Sequence, residues 1–152
     1  MNSPVIESLH TEYVKVSSTK LNAEQFGTLV MFFPALLVIA SDGVIDQEEW
    51  VYVKYLSKFM SDTYKKNLTE AELAALNQSF YKDLEFLIDN LDTWETRFVK
   101  ALRTHLDENT HQKELIVETL HLFAEASEGE SDDEVEKIEE LCEKLALEDF
   151  MD

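Results

Sequence analysis

ASDGVIDQEEWVYVKYLSKFM, residues 40–60, returns in altered form as ASEGESDDEVEKIEELCEKL, residues 126–145. With one residue deleted after Gly129, Glu49 falls over Glu134, Trp50 over Val135, Val53 over Ile138, Leu56 over Leu141 and Met60 over Leu145. Each copy reads as the end of an apolar helix, an Ala-Ser-acid-Gly corner, a capped start, and a second helix with matching apolar positions. Two copies in one chain predict two related helical hairpins. Gly43 and Gly129 stand where the left-handed residue that ends a helix belongs, a conformation that carries no steric penalty without a Cβ.

Outward from these corners the pattern stays helical. Ser3 as N-cap with Pro4 at the first helical position opens a helix to about Val16, with Val5, Ile6, Leu9, Tyr13 and Val16 at helical spacing. A second helix follows Asn22 and contains the most apolar stretch of the chain. From Phe26 to Ala40 that stretch is fifteen residues, about 22 Å at ~1.5 Å per residue, too short for a hydrocarbon core of about 30 Å. Pro34 in its middle is expected to kink it. A central core helix is therefore expected, not a membrane span.

Four pairs have the spacing of a capping box: Asp46 with Glu49, Thr69 with Glu72, Asp92 with Glu95, and Ser131 with Glu134. The second opens a helix through Leu73, Leu76, Phe80, Leu84, Leu87 and Ile88. The third opens one through Trp94, Phe98, Leu102 and Leu106. Asn109 or Thr110 is expected to start a sixth helix, lined by Leu115, Ile116, Leu122, Phe123 and Ala126. Val135, Ile138, Leu141, Cys142 and Leu145 line a seventh. Three Gly and two Pro are too few to punctuate many short strands. The expectation is an all-α fold, a compact bundle of about seven helices, formed by residues 1–152 as a single domain.

The charge bounds the partners. Thirteen Lys and Arg against thirty-two Asp and Glu give a net charge of −19. Binding nucleic acid through phosphates needs clustered cations, so nucleic-acid partners are not expected. Cations, basic proteins and polybasic segments are. Residues 125–152 hold thirteen acids against Lys137 and Lys144, a net of −11. The simplest reading of that stretch is a strongly solvated face. A lone Cys142 allows no internal disulfide and suits a reducing compartment. The first residues show neither the basic nor the apolar region of a signal peptide, so a cytoplasmic location is expected.

Asp42 and Glu128 are the unusual residues of the corners. A carboxylate near a helix C-terminus opposes the helix dipole, at about 0.3–1 kcal/mol when exposed. Free amides of the turn, a neighbouring Lys or Arg, or a bound cation can offset that cost. A calcium EF-hand is excluded. With Gly43 at the sixth loop position, the first and third ligands would be Val38 and Ala40, which carry no side-chain oxygen.

The segment Ala40-Ser41-Asp42-Gly43-Val44-Ile45-Asp46-Gln47-Glu48-Glu49 resembles the Ala-x-Asp-Gly corner of the TerB-like family of tellurite-resistance proteins, which includes the N-terminal domain of DjlA-type co-chaperones. The resemblance covers about residues 22–147, with the helix at about 4–16 as an addition. The second corner departs from the pattern, with Glu128 for Asp and no apolar residue after the turn. The resemblance implies a bundle of about seven helices with an internal repeat. It also implies a stress-response or envelope-associated accessory role without enzymatic activity, and acidic residues suspected of binding metal. By position these are Asp42, Asp46 and Glu49, then Glu128, Asp132 and Glu134, with a divalent cation as the group held. A basic or membrane-associated protein partner is expected, with no direct membrane insertion.

A second function class fits the charge of residues 125–152: an acidic inhibitor or immunity-type protein covering a basic surface of its target. The pairs Glu7/His10 and Glu118/His121 each form half of a di-iron carboxylate motif. No helix precedes the first pair to supply a further Glu, so chance pairing is the expectation. His105 and His111 flank a helix junction without a third obvious ligand. No nucleophile elbow or phosphate-binding glycine loop is present, so no residue is nominated as catalytic.

Overall fold

In a computed structural model the chain is all-helical. The structure describes residues 3–40, 47–126 and 132–147, with the side chains of residues 48, 123–126 and 132–134 outside the description. Among the described residues there are seven α-helices and no strand. They are α1 (Pro4–Val16), α2 (Ala23–Ile39), α3 (Gln47–Asp62), α4 (Glu70–Asp89), α5 (Leu91–Glu108), α6 (Lys113–Ala126) and α7 (Asp132–Lys144). A short 3₁₀ turn, Thr110–Gln112, precedes α6.

Helix α2 is the centre of the bundle. Every residue from Phe32 to Ile39 is buried, and α1, α3, α5, α6 and α7 all pack against it. A helix apolar on all sides is stable in water only when surrounded, and α2 is. It continues through the buried Pro34. The ring removes one backbone donor there, a cost that packing on every side must offset. Among the described residues no helix is long and apolar enough to cross a membrane. Asn22 starts α2 with a full capping box. Its side chain accepts from Gln25 N at 2.8 Å, while Gln25 Oε1 accepts from Asn22 N at 3.0 Å.

The two helices that follow the repeated corners are buried alike. Val53, Leu56 and Met60 are buried, as are their counterparts Ile138, Leu141 and Leu145. Trp50 and Val135 are both half-buried. Helices α3 and α7 both pack on α2, and α2 packs on α6. The aligned positions are thus buried alike, while the packing differs: α3 packs on α2, the helix before it, whereas α7 packs on α2 and α5. Past α7 the chain closes on Ala146, which takes a left-handed φ of 56°. Leu147 N reaches back to the Cys142 carbonyl at 2.8 Å. Arg103 Nη1 and Lys113 Nζ donate to the Lys144 and Ala146 carbonyls at 3.1 and 3.2 Å, placing cations where the dipole of α7 favours them.

Helix α1 inserts Ile6, Leu9 and Tyr13 into the same core as the segment 22–147. Tyr13 meets Phe26, Trp94, Phe86 and Phe98 at centroid distances of 5.1, 5.2, 5.6 and 5.8 Å. The last three contacts are edge-to-face, the arrangement that ring quadrupoles favour. Arg97 lies 4.3 Å above the Trp94 ring and pairs with Glu12, tying α5 to α1 at the surface.

Several local expectations need correction. The Asp92–Glu95 box does not form. Helix α5 starts at Leu91, with Asn90 alone separating it from the end of α4, and its first turn hangs on the Asn90 carbonyl, which accepts from Thr93 N and Trp94 N. So tight a junction leaves Asp92 inside the helix, and Glu95 bonds Lys137 instead. Ser3 holds the N-cap backbone position of α1 without a side-chain cap. On α6, Leu115 and Leu122 are exposed, while Ile116, Val117 and Leu120 face the core. Val16, expected on the buried stripe of α1, is exposed at its last turn. The Thr69–Glu72 box forms, at 3.2 and 3.0 Å. The boxes at Asp46 and Ser131 involve residues outside the description.

Candidate functional site

The six acidic positions nominated from the sequence are distributed as follows. Asp42, Asp46 and Glu128 lie outside the described residues. Asp132 and Glu134 belong to the first turn of α7, with side chains outside the description. Glu49 is half-buried in the first turn of α3 and engaged in an interaction of its own. Among the described residues no three His, Cys, Asp or Glu gather to hold a metal.

The described approach to the first corner is a cavity of about 400 Å³ beside Ala40, lined also by Asp89, Asp92, Glu95 and Lys137. Lys137 Nζ bonds Glu95 at 2.9 Å and Glu140 at 3.1 Å, and Lys144 bonds Glu140 at 3.0 Å. Burial pulls the Lys137 ammonium down, but the bonds to Glu95 and Glu140 outweigh it and hold it above its ordinary value. Lys144 and Lys137 together hold Glu140 below the usual carboxylate range. Three carboxylates face one lysine in this cavity, which leaves it net acidic, and the Lys137–Glu95 pair fastens α7 to α5.

Two of the four histidines, His10 and His105, are held within the fold. His10 Nε2 donates to the Leu21 carbonyl at 3.1 Å, and its ring packs on Phe26 at 4.9 Å. His105 is buried, with Nε2 donating to Gln112 Oε1 at 2.7 Å and Nδ1 facing Ser3 Oγ at 3.3 Å. These bonds fasten the start of α1 and the turn at 110–112 to α5.

Asp83 is the interior carboxylate that pattern reading missed. It is buried on α4, and Tyr13 donates to its Oδ1 at 2.6 Å and Thr19 to its Oδ2 at 2.9 Å. Thr19 Oγ1 in turn accepts from Leu21 N at 3.2 Å, so the α1–α2 connection is clamped onto α4. Burial raises the Asp83 pKa, an effect the Tyr13 and Thr19 bonds oppose. Burial, then the Asp83 charge, drives the Tyr13 phenol far up. The signal was available: Asp83 lies three residues after Phe80 and four before Leu87, on the buried stripe of α4.

Above this clamp opens a surface feature that the sequence did not mark. A groove of about 660 Å³ runs between α3 and α4, bordered by Lys54, Tyr55 and Lys58 on one side and Gln78, Tyr81 and Lys82 on the other. Inside it Ser57 Oγ lies 2.8 Å from Asn77 Oδ1, and at its end Trp50 stacks on Tyr81 at 6.2 Å with planes 13° apart. A second cavity, of about 410 Å³, is lined by residues 16–20, Ala75, Asp83 and Phe86, and shares Gln78 and Lys82 with the first. Lysines on solvent-facing helix positions are ordinary in a sequence. That three of them, with Lys20 of the α1–α2 connection, border one depression emerges only when the elements are packed.

Compared with known proteins, the chain matches no family model, no curated protein and no solved structure.

Proposed function

We propose that this chain is a non-enzymatic TerB-like accessory protein that acts by binding another protein. The observation that carries the reading is an apolar row on the outer face of α3. Val51 and Tyr55, one turn apart, are 44% and 57% exposed. Phe59 continues the row one turn on, with its inner edge against Phe32 at 5.4 Å. Single exposed apolar residues are common, but a contiguous row beside a groove is the usual mark of an interaction surface. The interior offers less: Asp83 and His105 are held on both sides by groups of the fold itself. The repeat with its matching burial supports the TerB-like part of the reading.

A photo-reactive phenylalanine analogue placed at Tyr55 tests it, with the same residue at Lys100, exposed on α5, as control. In the host cell a discrete cross-linked protein is expected from position 55 and not from position 100. No adduct from 55, or the same adducts from both, overturns the reading.

A further inference from the structure

We infer that the groove between α3 and α4 takes an acidic peptide segment that also carries apolar side chains. The inference rests on the protein-binding reading and names the partner's chemistry at that site. The two cavities that share Gln78 and Lys82 form one continuous depression from the 17–20 connection to α3, bordered by Lys20, Lys54, Lys58 and Lys82. Those are four of only thirteen cations in a chain with thirty-two acids. Among the described residues Lys58 alone of the four has an ion-pair partner, Asp62 at 3.8 Å, with both side chains largely exposed. Such a pair contributes little and is easily exchanged for a better carboxylate. Of the two carboxylates lining the depression, Asp83 has both oxygens filled by Tyr13 and Thr19, which leaves Glu85 as the one acid facing outward.

Net charge alone pointed to basic partners; this groove is the local exception. An acidic segment is repelled by most of the surface and attracted at this depression, so the surrounding charge fixes where it sits as well as that it sits. Tyr55, Tyr81, Ala74, Ala75, Val16 and Phe86 supply the apolar part of the lining. Aromatic side chains beside cations suit a ligand that alternates carboxylates with apolar groups. A nucleic acid is disfavoured. Its phosphates continue beyond the four lysines over a surface that is acidic, and each unneutralised phosphate there adds repulsion.

The test uses the full chain and a fluorescein-labelled twelve-residue peptide repeating Asp-Glu-Phe-Glu, followed by anisotropy. Saturable binding is expected. Lys54→Glu with Lys82→Glu should weaken it about tenfold or more, whereas Lys100→Glu with Lys144→Glu, which changes the net charge equally, should leave it within about twofold. Melting curves check each variant, and Lys54→Gln with Lys82→Gln serves if the reversal perturbs folding, with a smaller loss in the same direction. No saturation by about 1 mM peptide, or equal loss in both pairs, overturns the inference. So does a twelve-nucleotide oligothymidine bound as tightly with the same lysine dependence. A partner still captured from position 55 while the peptide is refused overturns the acidic chemistry and leaves the interaction reading standing.

Discussion

Asp83 shows how one buried carboxylate can tie the elements of a bundle together. A buried charge is tolerated when donors replace its lost hydration, and here the donors come from α1 and from the 17–20 connection. Replacing Tyr13 by Phe keeps the ring in the aromatic cluster and removes one donor from a buried acceptor. The expected cost is about 1.5–3 kcal/mol by urea denaturation at neutral pH. The pH dependence has an unusual sign. Because burial raises the folded pKa above the unfolded value of 3.8, the folded state holds the proton more tightly than the unfolded chain. Asp83 therefore adds stability as pH falls through its folded pKa, an addition complete below the unfolded value. The stability of the native chain relative to Asp83→Asn should rise on acidification across that window. A difference that falls instead would mean that the hydroxyl bonds outweigh burial.

At the scale of elements, the chain was most legible where local chemistry alone decides. Thr69 with Glu72 and the apolar stripe of α4 need no knowledge of neighbours, and both are found as read. Asp92 and Glu95 have the same spacing, yet the α4–α5 junction at Asn90 is too short to leave Asp92 outside the helix. On α6 the buried face runs through Ile116, Val117 and Leu120, and Leu115 and Leu122, apolar at the same spacing, are left exposed. Which apolar residues turn inward depends on the neighbouring helices. The lysine groove was not legible at all, because it belongs to two helices and a connection at once. The contrast between the two boxes is measurable. Thr69→Ala should cost about 1 kcal/mol of unfolding free energy, through loss of the bond to Glu72 N. Asp92→Ala should stay within about 0.5 kcal/mol. Equal losses at both sites would show that Asp92 caps α5 after all.

The whole molecule folds against its own charge. Its net −19 includes −11 from the last 28 residues, a stretch whose described end, α7, is held to α5 by Lys137 and Arg103. Compact folding brings like charges together, so self-repulsion opposes it, and mobile ions relieve that repulsion. Among the described residues there are six ion pairs, most between well-exposed side chains. Screening such pairs costs little, because each contributes little to begin with. Relief of repulsion should therefore dominate. Between about 0.01 M and about 0.3 M NaCl the screening length falls from ~30 Å to well under 10 Å, below the spacing of most surface charges. Calorimetry should show Tm rising by several degrees, since about 1 kcal/mol moves a chain of this size by about 2–4 °C. The same scan in calcium or magnesium chloride at matched ionic strength bears on the acidic corners expected at Asp42, Asp46 and Glu49. If those carboxylates only cap and turn the chain, sodium and the divalent ions should follow nearly one curve. If they gather a cation, binding to the folded state alone adds stability that keeps growing with metal concentration after screening is complete. A Tm that falls with NaCl would show instead that the ion pairs of α5 and α7 outweigh the repulsion around them.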